Sequence, residues 1–296
     1  MTVVRPQLLR RHLADDLPIN LAKMSLWTYE EASAYFESGG TVVPQDTPTL
    51  SPQEVVMAPP PAKLGRKARI ALLHGTANNQ TTLKMSIGRL SALLRDKCEL
   101  FYIEGNLMID ESYQGPARAQ AEIVRQTFGN SMKLFEYAPA SEDARGWRTY
   151  QQPQLDEALE YIERQIAALP GGGGVDALLG FSQGANLITM LVPTFARHTT
   201  SAPLRCVVML SPSLPGWAAD KAALFNAPLT TPALLAYSET DTTALGRQEV
   251  AKLWAPQSIR TLVHTGPGHR PLPQAKDELQ ATVQTIADFI LHWCPQ

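Results

Sequence analysis

The stretch LLGFSQGANL, residues 178–187, places one serine between two glycines directly behind an apolar run. The residues VDALL that lead into it have the continuous apolar character of a buried strand, and ANLITMLV behind it suits a helix. The Gly180-x-Ser182-x-Gly184 spacing lets a chain turn sharply from strand to helix, because bulkier residues beside the serine would clash within the turn. A serine so held stands above the end of a sheet. The same residues also suit an ordinary tight connection in which Ser182 is only a small filler, so the rest of the chain must decide.

Working outward, RIALLHG (69–75) reads as a strand, SIGRLSALLRD (86–96) as a helix and CELFYIEG (98–105) as a strand again. Leu155, Leu159, Ile162, Ile166 and Leu169 fall on one helical face ahead of four consecutive glycines, Gly171 to Gly174. LRCVVMLSP (204–212), PALLAYSETD (232–241) and IRTLVHTG (259–266) follow as buried strands, and QAKDELQATVQTIADFILHW (274–293) closes the chain as an amphipathic helix. This alternation predicts an α/β fold, a mostly parallel central sheet with helices on both faces. In such sheets ligands sit at the carboxyl ends of the strands. Those ends carry His74-Gly75-Thr76, Ser182, Glu239-Thr240-Asp241 and, past the last strand, Gly268-His269.

A serine hydroxyl needs a base within hydrogen-bonding reach and a third group to orient that base. The order Ser182, Asp241, His269 is that of the α/β-hydrolases. His74-Gly75-Thr76 ends the first strand of the main domain, where backbone N–H groups can hold a developing oxyanion; the amides of Thr76 and Gln183 are assigned that role. His264 is the rival base, but it still belongs to the strand, whereas His269 lies in a Gly- and Pro-rich loop able to reach the serine. His74 reads as a packing residue beside the oxyanion loop, and His12, His198 and His292 have no chemical company. Glu239 and Asp241 are two apart on an extended segment and share a face, so either could approach His269. Asp176 caps or starts a strand, Cys206 is a buried thiol, and Phe181 and Met190 suit core positions.

IALLHGTANN (70–79), DALLGFSQGANL (176–187), LLAYSETDTTAL (234–245) and LVHTGPGHRPLP (262–273) resemble the FSH group, the "family of serine hydrolases" within the α/β-hydrolases. The resemblance implies Ser182 as nucleophile, Asp241 as acid and His269 as base, with Glu239 in support and an aromatic near the pocket at Trp147; His74 and Gly75 flank the oxyanion loop. It implies hydrolysis of a carboxylic ester or thioester through an acyl-enzyme, with a small-molecule acyl substrate and neither metal nor organic cofactor. A non-catalytic ligand-binding protein of the same fold, or an acyl transferase or lyase using the same residues, stands as the alternative. The chain departs from the family pattern at Ser238 and Pro267, where glycine is usual, and at Ala244-Leu245, where Val-Pro often follows the acid.

The expected organisation is an N-terminal helical extension over 1–42, a proline-rich linker over 43–66 and a hydrolase domain over 67–296, with a lid or insertion at 107–134. Within the extension, TYEEASAYFESGG (28–40) reads as a helix with a Thr28/Glu31 capping box. The chain's 296 residues, 44% hydrophobic and 18% charged with net charge -2, suit a globular protein. No basic cluster suggests a nucleic-acid partner, and no apolar run suggests a membrane span. Three widely spaced cysteines, Cys98, Cys206 and Cys294, suggest neither a disulfide framework nor zinc, and point to a reducing, cytoplasmic setting. Arg5, Arg10 and Arg11 among leucines give the N-terminus some character of a mitochondrial presequence, against which Asp15 and Asp16 count. Homo-oligomerisation is left open.

Overall fold

The computed structural model describes residues 58–129, 131–144, 147–172, 174–197, 203–241, 247–266 and 268–296. The helix expected over 28–40, most of the proline-rich linker, His12, His198, Ala244-Leu245 and Pro267 lie outside the described residues. Along the chain come β1 (Ala68–Leu73), α1 (Gln80–Ser86), α2 (Gly88–Leu94), β2 (Cys98–Ile103), β3 (Leu107–Met108), α3 (Ala117–Phe128) and β4 (Phe135–Glu136). There follow β5 (Ala140–Glu142), β6 (Arg148–Tyr150), α4 (Gln154–Ala167), β7 (Ala177–Phe181), α5 (Gln183–Arg197), β8 (Cys206–Leu210) and α6 (Gly216–Asp220). The last elements are β9 (Ala233–Ser238), α7 (Arg247–Ala251), β10 (Ile259–His264) and α8 (Lys276–Trp293).

Six strands form one sheet in the order β10-β9-β8-β7-β1-β2, every neighbouring pair parallel. Alternate residues of β1 serve opposite faces. Ala71 and Leu73 join a core with α4 and α5, while Ile70 and Leu72 join a second core with α2 and α8. Burial on both faces explains why the strand sequences are continuously apolar rather than alternating. The strand order reverses between β1 and β7, so chains leaving their carboxyl ends diverge to opposite sides and open a crevice between them. Thr76 and Ser182 flank that crevice.

The helix expected over 86–96 is shorter, because α1 precedes it and Ile87 separates the two. The signal for α1 is local. Asn79 accepts from the Thr82 N–H at 2.8 Å, and Thr82 Oγ1 accepts from the Asn79 N–H at 3.0 Å, a reciprocal cap within ANNQTT. The expected insertion holds β3 and α3 and pairs antiparallel with β4; Ile109, Ala117, Ala121 and Leu134 pack there with Ala77. A second small antiparallel pair, β5 with β6, stands beside it.

Asp176 does more than start β7. Its carboxylate accepts from the two terminal guanidinium nitrogens of Arg66, at 2.6 and 2.9 Å, and from the Arg69 N–H at 2.8 Å, which ties the entry of β1 to that of β7. The three cysteines, remote in sequence, meet in the core on the α2/α8 face, free and buried. Burial pushes the Cys98 thiol up to about 12, and contact with Cys294 together with burial raises Cys206. No helix among the described residues is long and apolar enough to cross a membrane.

Candidate active site

The serine turn is built by close approach. A Cβ at Gly180 would lie 2.4 Å from the Gly184 backbone, and one at Gly184 would lie 2.4 Å from the Leu73 carbonyl oxygen. Only hydrogen fits at either position while β7, α5 and β1 keep this spacing. Ser182 itself sits at φ 53, the left-handed region that non-glycine residues rarely occupy. Its N–H is held by the Leu210 carbonyl at 2.9 Å and the Gly184 N–H by the His74 carbonyl at 3.1 Å, so both neighbouring strands fix the strained residue.

His269 reaches the serine from the loop after β10. Its Nε2 lies 2.8 Å from Ser182 Oγ and its Nδ1 lies 2.8 Å from Asp241 Oδ2. The Asp241 side chain is fully buried and that of His269 is 24% exposed, so the carboxylate is shielded while the ring keeps one edge toward the crevice. The ring also packs on Phe181, with centroids 5.0 Å apart. An Nδ1–H donated to Asp241 leaves Nε2 free to accept the serine proton, which is the tautomer a general base requires.

The acid and histidine loops are clasped together. Ser238 Oγ donates to the Gly266 carbonyl and accepts from the Thr240 N–H at 3.1 Å; Thr240 Oγ1 accepts from the Gly268 N–H at 3.2 Å. Ser211 Oγ donates to the Arg270 carbonyl at 3.2 Å on the other side of His269. Ser238, a departure from the family's glycine, thus supplies the clasp. Glu239 is exposed, and its N–H bonds the His264 carbonyl at 2.9 Å; Asp241 occupies the position beside His269. His264 is buried at the end of β10, as its strand position required.

His74 is buried and fixes the loop it precedes. Its Nδ1 donates to the Gly75 carbonyl at 2.8 Å, and its Nε2 accepts from the Gly105 N–H at 2.9 Å. Glu104 Oε1, 3.1 Å from the same Nε2, takes the Gln80 N–H at 2.9 Å. Because the C=O and N–H of a trans peptide point in opposite directions, the Gly75 carbonyl held by His74 turns the Thr76 N–H away from the ring. Thr76 and Gln183 line one cavity with Ser182 and His269. Gln183 opens α5, where backbone N–H groups have no intrahelical acceptor. Its side chain accepts from the Tyr137 N–H at 2.8 Å and donates to the Ala138 carbonyl at 2.7 Å.

Trp147 does not line this cavity. It closes the β5–β6 hairpin, its N–H donating to Asp143 Oδ1 at 3.0 Å, and the strand alternation that follows turns Arg148 and Tyr150 to the cavity instead. Several residues in or behind the cavity wall had no mark in the sequence reading. Tyr137, fully buried, donates to the Ile103 carbonyl at 2.7 Å and accepts from the His74 N–H at 3.2 Å, joining the ends of β1 and β2. Asn186 bonds Tyr150 and Ser213. Glu136 places a buried carboxyl on the cavity wall. Only Asn186, one turn after Ser182 in α5, could have been found from helical spacing. Among the described residues, no group of three or more His, Cys, Asp or Glu could hold a metal ion.

A parallel sheet with a strained, glycine-flanked serine at its crevice and a histidine–aspartate pair from later strand ends is an α/β-hydrolase. Residues 63–282 match the serine hydrolase family FSH1, and the chain belongs to that family. The human esterase OVCA2 is 26% identical over 236 residues, covering 76% of this chain and 97% of the human protein. An uncharacterized hydrolase of Schizosaccharomyces pombe is 24% identical over 238 residues, covering 77% of this chain and 52% of the yeast protein. Among solved structures, that of esterase PE8 aligns with a TM-score of 0.50 at 18% identity, over 76% of this chain and 93% of PE8, which places the fold.

Proposed function

We propose that this serine hydrolase cleaves carboxylic esters through an acyl-enzyme on Ser182, and that thioesters are within reach of the same chemistry. His269 takes the Ser182 proton as Oγ attacks the acyl carbon, then delivers it to the leaving oxygen or sulfur. A water molecule attacks the acyl-enzyme with His269 again as base, and Ser182 is regenerated. Asp241 holds the imidazole by its Nδ1 and stabilises the imidazolium. The Thr76 and Gln183 N–H groups stabilise the oxyanion, a contribution of roughly 3–4 kcal/mol per donor in comparable sites.

The observation that carries this reading is the unbroken chain Ser182–His269–Asp241, with both links at 2.8 Å and its serine end opening on a cavity. The esterase name borne by the human relative supports the ester substrate. The division into an extension (1–42), a linker (43–66) and a hydrolase domain (67–296), and a soluble cytoplasmic setting, belong to the same reading.

The test is fluorophosphonate labelling of wild type and Ser182→Ala, read by intact mass, beside p-nitrophenyl ester turnover. Labelling and turnover that disappear together in the variant are expected. A folded wild type that takes no label, or a variant that keeps it, overturns the assignment.

A further inference from the structure

The cavity beside Ser182 measures about 320 Å³, at the small end of the range for ligand pockets. Its wall joins apolar surface from Pro116, Ala117 and Ala140 to polar groups: Arg148, Tyr150, Asn186 and Ser213 face the same space as Ser182. Most of these groups already have partners. Asn186 Nδ2 donates to Tyr150 Oη at 2.9 Å and to Ser213 Oγ at 2.7 Å, its Oδ1 accepts from the Ser213 N–H at 3.1 Å, and Arg148 pairs with Glu142 at 3.5 Å.

Glu136 differs. The residue is fully buried in β4, it lines the cavity, and neither carboxyl oxygen has a hydrogen-bond partner among the described residues. The neighbouring Gln183 side chain accepts from the Tyr137 N–H and gives one of its two amide N–H groups to the Ala138 carbonyl; it draws the Glu136 carboxyl's pKa down slightly but stands outside hydrogen-bond geometry with it. A buried carboxyl without partners is costly, so one in the wall of a cavity that also holds a nucleophile is a place for a ligand's polar group.

We propose that Glu136 is a specificity-determining residue that selects short acyl groups carrying a hydroxyl, by exchanging a hydrogen bond with that hydroxyl while the ester carbonyl sits at Ser182. This rests on the ester-hydrolase reading above. A hydroxyl suits the wall better than a charge does. Arg148 on the same cavity disfavours a cationic substituent, and its pairing with Glu142 reduces what it offers an anionic one. A hydroxyl can donate to a carboxylate or accept from a carboxylic acid, so it fits both states. Burial holds this carboxyl up at about 8, against the opposing influence of Arg148 and Gln183, so the acid form is the one that meets substrate near neutrality. An unsubstituted alkyl chain would leave the Glu136 carboxyl as unpartnered as before, and sites built to bond a hydroxyl reject analogues lacking it.

The experiment compares kcat/KM for p-nitrophenyl butyrate with that for its 2-hydroxy and 3-hydroxy derivatives, in wild type, Glu136→Leu and Glu136→Gln. Wild type is expected to favour at least one hydroxy ester by roughly tenfold or more, the effect of one well-made hydrogen bond. Glu136→Leu brings that ratio to within about twofold of unity, whatever happens to the individual rates, and Glu136→Gln retains part of it. A wild type indifferent to both hydroxyls, or a Leu variant with the wild-type ratio, overturns the proposal. Thermal unfolding gives an independent readout: Glu136→Leu raises the melting temperature if the carboxyl is unpaired, and a lower melting temperature means that it has a structural partner and refutes the premise. Turnover of plain butyrate that is absent, or unchanged in Ser182→Ala, is the separate failure of the ester-hydrolase reading, and the selectivity proposal falls with it.

Discussion

Gly184→Ala is the sharpest perturbation of this architecture. The new Cβ would stand 2.4 Å from the Leu73 oxygen, 2.7 Å from the His74 oxygen and 2.7 Å from the Leu73 carbonyl carbon, about 1 Å short of ordinary contact. All three obstacles are backbone atoms of β1 and the residue after it. No rotamer change can relieve them, so α5 must move away from the sheet. Overpacking that cannot be relieved by side chains sits at the upper end of the usual range, about 3 kcal/mol, or about 6–12 °C in melting temperature for a domain of this size. The same displacement separates the Gln183 N–H from the Thr76 N–H across the crevice. Misplacement of reacting groups by about 1 Å costs on the order of 100-fold in kcat. The assay is kcat and KM on a p-nitrophenyl ester together with thermal unfolding. Gly88→Ala is the control, because nothing lies within 4 Å of its added Cβ and its φ is not in the left-handed region. A Gly184→Ala protein with wild-type melting temperature and kcat within threefold would refute the packing argument and the positioning role drawn from it.

Other expectations follow from individual contacts. His74→Phe leaves the Gly75 carbonyl and the Gly105 N–H without their buried partner, so both stability, by about 2 kcal/mol or more, and kcat should fall; unchanged values in urea unfolding and ester turnover would show that the ring merely fills space. Asp176→Asn should cost more than Arg66→Ala, because the carboxylate is buried and serves three donors, whereas Arg66 is half exposed and can return to water; equal melting temperatures would contradict this. Glu136 gives stability a pH dependence of defined sign. Its carboxyl binds its proton up to about pH 8 in the folded protein but only to about 4.5 when unfolded, so the folded state holds more protons between those values and wild type loses stability, by a few kcal/mol, as pH rises through that window. Glu136→Gln removes this slope, and urea unfolding at pH 5, 6.5 and 8 in both proteins measures the difference. A thiol reagent should leave Cys98 and Cys206 untouched until the protein unfolds, since both thiols are buried and held far from ionisation; rapid modification of the native protein would contradict the packing described.

The six strands of the central sheet and the long helices α4, α5 and α8 were readable because burial on one or two faces imposes a period on the sequence. Ser182, Asp241 and His269 were readable for a different reason: each stands at a strand end, and parallel topology delivers all such ends to one edge. The β3–β4 and β5–β6 pairs were invisible. Two or three residues, such as Phe135-Glu136 or Ala140-Ser141-Glu142, are too few to carry a period, and the β3–β4 pairing is non-local as well. Glu136 went unnoticed with them, since an isolated glutamate looks like a solvated residue until the fold buries it. Trp147 was singled out by the family resemblance, which places an aromatic near the pocket in this region, while the neighbouring Arg148 is the residue that lines the cavity. Ser238 looked like a deviation, and its hydroxyl proved to be a hydrogen-bonding group that glycine cannot supply.

The groups that surround Ser182 come from two sources. Ser182, Gln183, Thr76 and His269 stand at the ends of the six-stranded sheet, whereas Pro116, Gln120, Glu136 and Arg148 project from the short elements between β2 and α4. A mutation among the second set can reshape the chamber without disturbing the first, so lineages built on this plan can acquire new diets while inheriting an unchanged reaction. Transplanting residues 105–150 between relatives is, on this view, a natural route to exchanging their preferences.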